Sequence, residues 1–120
     1  MKRAVLLVDH GSRLPEANAV LEQVAALVRA REPGRIVRVA HLELAPPTVQ
    51  EGIDACVAAG AREIVVHPYF LAPGRHSTRD IPALVGTAAK RHPEVSFRVS
   101  EPLGVHVALV DAILARVDAA

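Results

Sequence analysis

Short apolar runs alternate regularly along this chain with stretches of helical periodicity, a pattern that is compatible with few folds. The apolar runs lie at residues 4–8, 35–44, 63–70 and 95–100. Each is followed by a segment whose apolar residues recur every three or four positions, as on one face of an amphipathic helix. Because neighbouring parallel strands need long crossovers that helices usually supply, this alternation predicts an α/β fold with a parallel sheet and helices on both faces.

The four helical segments have recognisable apolar faces and end signals. Thr48 and Glu51 form a capping-box pattern at the start of the second helix, which should stop at Gly60, and the third helix should end before Pro93. The expected apolar faces are, in chain order, Val20, Val24, Leu27 and Val28 within 15–31; Val49, Ile53, Cys56 and Val57; Ile81, Leu84, Val85 and Ala88; and Val110, Ile113 and Val117.

The order of the strands follows from which of them carry polar residues. The first and third runs are apolar throughout, as buried central strands are, whereas the second contains Arg38 and the fourth alternates apolar residues with Ser96, Arg98 and Ser100. The second and fourth strands are therefore expected at the edges, which predicts the order 2-1-3-4. With 120 residues and 51% hydrophobic content, we expect one α/β domain over residues 1–120.

Composition argues against several classes of partner. The formal net charge is +1, from 14 basic and 13 acidic residues, and the chain has two Phe, one Tyr and no Trp, so neither a basic nucleic-acid footprint nor a base-stacking platform is expected. The first apolar run stops at Asp9, too early for a signal peptide or a membrane span. We therefore expect a cytoplasmic protein without membrane contact, in which the lone Cys56 is a small core residue.

Candidate functional residues follow three of the predicted strands. In a parallel sheet of order 2-1-3-4, ligands bind outside the carboxyl ends of the strands, where the loops after strands 1 and 3 meet. His10 lies in "DHGSR", Glu43 in "HLELAPP" and His76 in "YFLAPGRHSTRD". Each of the three, taken alone, also fits an ordinary capping or surface role. Together they suit the binding of Fe(II), Co(II), Ni(II) or Zn(II), proton transfer near neutral pH, or both.

Three of the other histidines are expected to have structural or surface positions, and the sequence lacks the common nucleotide-binding motifs. His67 is expected to form a local hydrogen bond, and His92 and His106 to lie on the surface, while His41 is left unassigned, although alternation places it on the same sheet face as Glu43. No GxxxxGK[ST] loop and no GxGxxG fingerprint occurs in the sequence, so neither ATP nor a dinucleotide is implied.

Three motifs in the same order resemble the small sirohydrochlorin chelatase family. They are "HGSR" after the first strand, "LELAPP" after the second and "HPYFLAPGRHSTRDIP" after the third, and the similarity spans essentially the whole chain. The resemblance implies a flavodoxin-like half-lobe that inserts a divalent metal, cobalt or iron and in some relatives nickel, into sirohydrochlorin or a related tetrapyrrole without ATP. The metal is then a substrate, and no permanently bound cofactor is expected.

The resemblance also assigns roles to individual residues. The family's two active-site histidines correspond to His10 and His76, and its acidic partner corresponds to Glu43; all three would hold metal or move protons. Carboxylates of the substrate would be bound by arginines and hydroxyl groups on the two motif loops, since arginine pairs with carboxylates through two parallel hydrogen bonds. The expected substrate-binding residues are Ser12, Arg13, Arg75, Ser77, Thr78 and Arg79.

One residue departs from the family pattern, and two rival functions remain. Asp9 stands where the family commonly has Gly; its carboxylate could orient the His10 imidazole, raise its basicity, or mark a subgroup with another substrate. A single lobe would leave a tetrapyrrole exposed, so a homodimer is expected. The rivals are a non-catalytic metal or tetrapyrrole carrier and a histidine-phosphatase-like hydrolase, although Asp9 replaces the arginine that such a phosphatase requires.

Overall fold

The computed structural model describes residues 2–72, 74 and 79–120. Within them the chain forms four strands alternating with four helices, as the periodicity predicts. In chain order they are β1 (Arg3–Asp9), α1 (Pro15–Arg31), β2 (Ile36–His41), α2 (Val49–Ala58), β3 (Glu63–Pro68), α3 (Ile81–Ala89), β4 (Ser96–Val99) and α4 (Ala108–Asp118).

The strands form one parallel sheet in the order β2-β1-β3-β4. The predicted order is confirmed, with the two strands that contain Arg38 and Arg98 at the edges. Asp9, the last residue of β1, pairs in register with His41, the last residue of β2. The carboxyl ends of these two strands are therefore level, and the loops that follow them leave the sheet side by side.

Two apolar clusters cover the two faces of the sheet. Leu6 and Val8 of β1 point into the larger cluster with residues of α2 and α3, whereas Leu7 packs in the smaller cluster with Leu21 and Ala25 of α1. This alternation follows from the two-residue repeat of a strand, which sends successive side chains to opposite faces. Helices on both faces are thus confirmed.

Two local features differ from the sequence-based expectation. The second strand ends at His41 rather than at residue 44, and Leu44 has a φ of 72°, a left-handed conformation that does not continue an extended strand. On α1, Leu21 and Ala25 are buried, while Val20 and Leu27 are 49% and 73% exposed. The face of α1 that packs on the sheet is therefore centred about one residue further along the helix than the predicted apolar face.

The ends and connections of the helices on the larger cluster are held by polar contacts. The predicted capping box of α2 is present, with the Thr48 hydroxyl accepting from the Glu51 amide and the Glu51 carboxylate accepting from the Thr48 amide. His92, which we expected on the surface, is partly buried and lies 2.7 Å from the carboxylate of Asp54 on α2. This contact is the main cause that lowers the pKa of Asp54.

The last helix, α4, contributes nothing to either cluster. Apart from the partly buried Leu109, its residues are exposed. Its apolar face is wider than predicted and comprises Val110, Ile113, Leu114 and Val117, which are 49–59% exposed. None of the helices in the described part of the chain is both long enough and apolar enough to pass through a bilayer.

Candidate active site

The carboxyl ends of β1 and β2 continue into two loops that stay hydrogen-bonded to each other. The Leu42 amide donates to the Asp9 carbonyl at 2.9 Å, and the Glu43 amide donates to the His10 carbonyl at 3.0 Å. The two predicted site residues His10 and Glu43 are therefore neighbours across the loops, and both are exposed at this edge of the sheet. The structure thus brings together two of the three residues that we expected to converge.

Gly11 permits this close approach. Its φ is +88°, and a Cβ at this position would lie 1.9 Å from the carbonyl oxygen of Glu43. Any other residue would suffer both from the left-handed backbone and from the collision. The glycine of "HGSR" is therefore required by the contact between the two loops, which holds Glu43 against the β1 loop.

The loop after β3 reaches the same place through an aromatic contact. The rings of His10 and Phe70 meet edge to face, with centroids 4.4 Å apart and planes inclined by 70°. Phe70 is 8% exposed and belongs to the larger apolar cluster, so it is a fixed surface against which the exposed imidazole rests. Three strand-end loops therefore meet at His10.

The Asp9 carboxylate makes a contact that the sequence pattern does not predict. Its carboxylate lies 2.5 Å from Nδ1 of His41, whose side chain is 3% exposed. A carboxylate oxygen only accepts, so the imidazole donates from Nδ1. Asp9 is thus hydrogen-bonded to His41, 32 positions away in sequence.

The residues predicted to bind substrate are only partly described. Arg13 and Arg79 are exposed on the loops after β1 and before α3. The Ser12 hydroxyl accepts from the Leu14 amide at 3.0 Å, and the Ser12 backbone is held by Asn18, so this residue also shapes the turn into α1. The other predicted residues, Arg75, His76, Ser77 and Thr78, lie outside the described residues.

Three other residues in the described part of the chain, His67, His106 and Cys56, have structural partners or are buried. His67 lies 2.8 Å from the Ser100 hydroxyl, as expected of a local contact, and burial is the main cause that lowers its pKa. His106 is exposed, and its Nδ1 accepts from the Ala108 amide at the start of α4. Burial raises the pKa of the Cys56 thiol to about 11, which keeps it protonated and unreactive in the core.

Two open cavities adjoin the three loops. One, of about 300 Å³, is lined by Glu43 and Asp80 together with Leu42, Ala83 and Leu84. The other, of about 260 Å³, is apolar and is lined by Tyr69, Phe70, Leu71, Leu103 and Leu109. Glu43 lines one of these cavities, and Phe70, which contacts His10, lines the other. A carboxylate and an imidazole that can accept protons or bind a divalent ion therefore lie beside partly apolar cavities.

Within residues 2–72, 74 and 79–120, no group of three His, Cys, Asp or Glu side chains is placed to hold a metal ion. The expected third member, His76, lies beyond those ranges. Sequence reasoning also missed Phe70 and His41 as parts of this edge. Phe70 lies within the quoted third motif, and His41 was placed on the same sheet face as Glu43, so weak signals for both were present.

The fold and the loops define a class of protein: a parallel α/β lobe in which a His and a carboxylate follow the carboxyl ends of two adjacent strands, the central β1 and the edge strand β2. Residues 4–120 match the model of the CbiX family, and the chain belongs to that family. The predicted resemblance is thereby confirmed.

Individual relatives agree with this assignment. The chain is 41% identical, over 94% of its length, to a chloroplastic sirohydrochlorin ferrochelatase from Arabidopsis thaliana, of which it covers 50%. A sirohydrochlorin chelatase, SirB from Bacillus subtilis subspecies spizizenii in complex with cobalt, matches 98% of the chain and is covered to 50%, with a TM-score of 0.87 and 33% identity. The CbiX protein from Marinobacter aquaeolei VT8 matches 97% and is covered to 94%, with a TM-score of 0.80 and 28% identity.

The chain therefore spans about half of the length of the chelatases named above. The Marinobacter protein, in contrast, corresponds to this lobe over nearly its whole chain.

Proposed function

We propose that this protein inserts a divalent metal (cobalt or iron, with nickel as an alternative) into sirohydrochlorin or a related tetrapyrrole without ATP. The observation that carries the proposal is the meeting of the His10, Glu43 and Phe70 loops at one edge of a CbiX-family lobe. Relatives named as a ferrochelatase and as a cobalt-bound chelatase support both metals. A cytoplasmic location belongs to the same proposal and suits the free thiol of Cys56.

The chemistry of metallation explains why such groups are needed. Two pyrrole N–H protons must leave the macrocycle as the divalent ion binds the four ring nitrogens, so the net charge of the ring and metal is balanced by the loss of two protons. Bases beside the ring accept these protons, and neutral imidazole is suited to this near pH 7. We assign this role and transient metal binding to His10 and His76, with Glu43 as a further metal ligand or proton acceptor.

Substrate anchoring is assigned to the polar groups of the same loops. Sirohydrochlorin has many peripheral carboxylates, and Arg13 and Arg79 are exposed on the loops after β1 and before α3. Arg75, Ser12, Ser77 and Thr78 complete the proposed set. The apolar cavity beside Phe70 offers a surface for the flat face of the ring.

The proposal is tested by a metal insertion assay with the purified protein. Sirohydrochlorin is mixed with Co(II), Fe(II) or Ni(II) with and without the protein, and its conversion to the metallated form is followed by absorbance. We expect the protein to accelerate insertion of Co(II) or Fe(II) well above the spontaneous rate. A protein that binds metal and tetrapyrrole but leaves the rate unchanged would be a carrier, and the proposed activity would be wrong.

We also propose that two copies of this chain form a homodimer whose cleft encloses the tetrapyrrole. The chelatases matched over about half of their length extend over a second stretch of similar size, which a second copy would replace here. Within the chain, the apolar face of α4 remains in water, and full burial of one aliphatic side chain contributes roughly 1.5–3 kcal/mol. A second copy presents the same exposed α4 face, so the two faces can pack against each other about a two-fold axis.

The dimer predicts a defined effect of charge on α4. The wild-type protein should have twice the mass of one chain by light scattering at micromolar concentration, and Ile113→Glu should reduce the mass to that of one chain, because a carboxylate would have to be buried in the interface. Ala112→Glu adds the same charge on the opposite side of α4 and should leave the dimer intact. A fully active wild-type monomer would refute the proposal.

A further inference from the structure

Asp9 and His41 form a largely buried polar contact at the carboxyl edge of the sheet. His41 is 3% exposed and Asp9 is partly buried, and each is the last residue of its strand. The two Cα positions are also partners in the sheet register. The pair therefore joins β1 to β2 by side chains at the last rung of the ladder, immediately before His10 and Leu42 leave it.

The contacts around the pair connect it directly to the proposed reacting groups. His10 follows Asp9 in the chain, and Glu43 is two residues beyond His41. The Asp9 carbonyl accepts from the Leu42 amide and the His10 carbonyl from the Glu43 amide, so two backbone bonds continue the ladder past the side-chain pair. The Cβ of His41 also lies 3.0 Å from the Cβ position that a side chain at Gly11 would take, which places His41 against the "HGSR" turn.

The end of β2 is also held by a backbone hydrogen bond to the loop that follows it. The His41 amide donates to the Pro47 carbonyl at 2.8 Å, so the backbone of this residue closes the loop that contains Glu43. His41 thus holds the β2 loop through its backbone and the β1 loop through its imidazole. A neutral or charged imidazole can donate from Nδ1 to a carboxylate in either case, so this function requires no change of protonation.

We propose that the Asp9–His41 pair positions His10 and Glu43 relative to each other for metal insertion, and that both are positioning residues. Neither needs to touch the tetrapyrrole. Catalytic groups must be held within about 0.5 Å of their productive arrangement, and partners behind metal ligands typically affect affinity or activity by roughly 10–100-fold. This inference rests on the proposed function, because the relevant geometry is that of the two proposed reacting groups.

The first test removes the hydrogen-bond donor of His41 but keeps a ring of similar volume. His41→Phe should lower the turnover of metal insertion by roughly 10–100-fold with little change in the apparent KM for the tetrapyrrole, because the ring is bound by other groups. His41→Asn should restore turnover to within about threefold of wild type, since its amide nitrogen can occupy the place of Nδ1 and donate to Asp9. Asp9→Ala removes the carboxylate that accepts this hydrogen bond, and it should lower turnover as much as His41→Phe does.

The chain offers a matched control for this test. His92 and Asp54 form another imidazole–carboxylate pair, with a separation of 2.7 Å, between α2 and the connection that follows α3. His92→Phe removes that pair without touching the strand-end loops, and its turnover should remain within about twofold of wild type. Thermal unfolding of every variant shows whether a loss of turnover accompanies a loss of folded protein.

The outcomes separate this inference from the proposed function. If the wild type inserts metal and His41→Phe and Asp9→Ala turn over at the wild-type rate, the positioning role is refuted; it is also refuted if neither variant folds, because the pair would then serve stability. If the wild type does not insert metal, the proposed function fails. The positioning role is then tested by the binding of Co(II) in the absence of a tetrapyrrole. Visible absorption should then show roughly tenfold weaker Co(II) binding by His41→Phe than by His41→Asn, and equal binding would overturn the inference.

Discussion

Replacement of His10 by Ala should lower the rate of metal insertion by roughly 10²–10⁴-fold while the fold is retained, because this is the usual contribution of a positioned base. His10 is exposed, so its truncation removes little buried surface, and Phe70 remains supported by the larger apolar cluster. The measurement is the initial rate of Co(II) or Fe(II) insertion by absorbance, with circular dichroism as the check on folding.

The same loss is expected for His76→Ala, since the proposal gives the two imidazoles equivalent roles. His92→Ala is the control, because His92 lies away from the strand-end loops and contacts Asp54 on α2. Near-normal rates in both the His10 and the His76 variants would remove the proposed mechanism. A large loss in the control as well would show that the assay reports folding rather than chemistry.

Gly11→Ala should destabilise the folded protein by roughly 2–5 kcal/mol, the combined effect of a left-handed backbone at an L-residue and of overpacking. The added Cβ would lie 1.9 Å from the Glu43 carbonyl oxygen, so the two loops must separate for the variant to fold. Urea unfolding measures the change in the free energy of unfolding. The insertion rate should fall as well, since Glu43 would be displaced from the His10 loop.

Gly86 provides the comparison for this substitution. It lies within α3, and a Cβ there would meet nothing within 4 Å, so Gly86→Ala should stabilise the protein by about 0.5–1 kcal/mol through the lower entropy of the unfolded chain. The two variants add the same methyl group and should change stability in opposite directions. A Gly11→Ala protein as stable as the wild type would contradict the close approach of the two loops.

The strands, the helices and their order could be predicted from the sequence, because they depend on interactions between residues close in the chain and on simple rules of topology. The capping box at Thr48 and Glu51 needs only a three-residue separation, and the apolar repeats of α2 and α3 depend on helical geometry alone. Arg38 and Arg98 indicated the edge strands, and from that order the carboxyl-edge position of His10 and Glu43 followed.

The arrangement of the strand ends could be learned only from the folded structure, because the contacts there join residues that are distant in sequence. The Asp9–His41 pair spans 32 positions, and neither residue carries a local pattern that reveals its partner. Phe70 meets His10 only because β1 and β3 are adjacent in the sheet. The exposure of the α4 apolar face could not be predicted either, since periodicity shows that a helix has an apolar face but not what covers it.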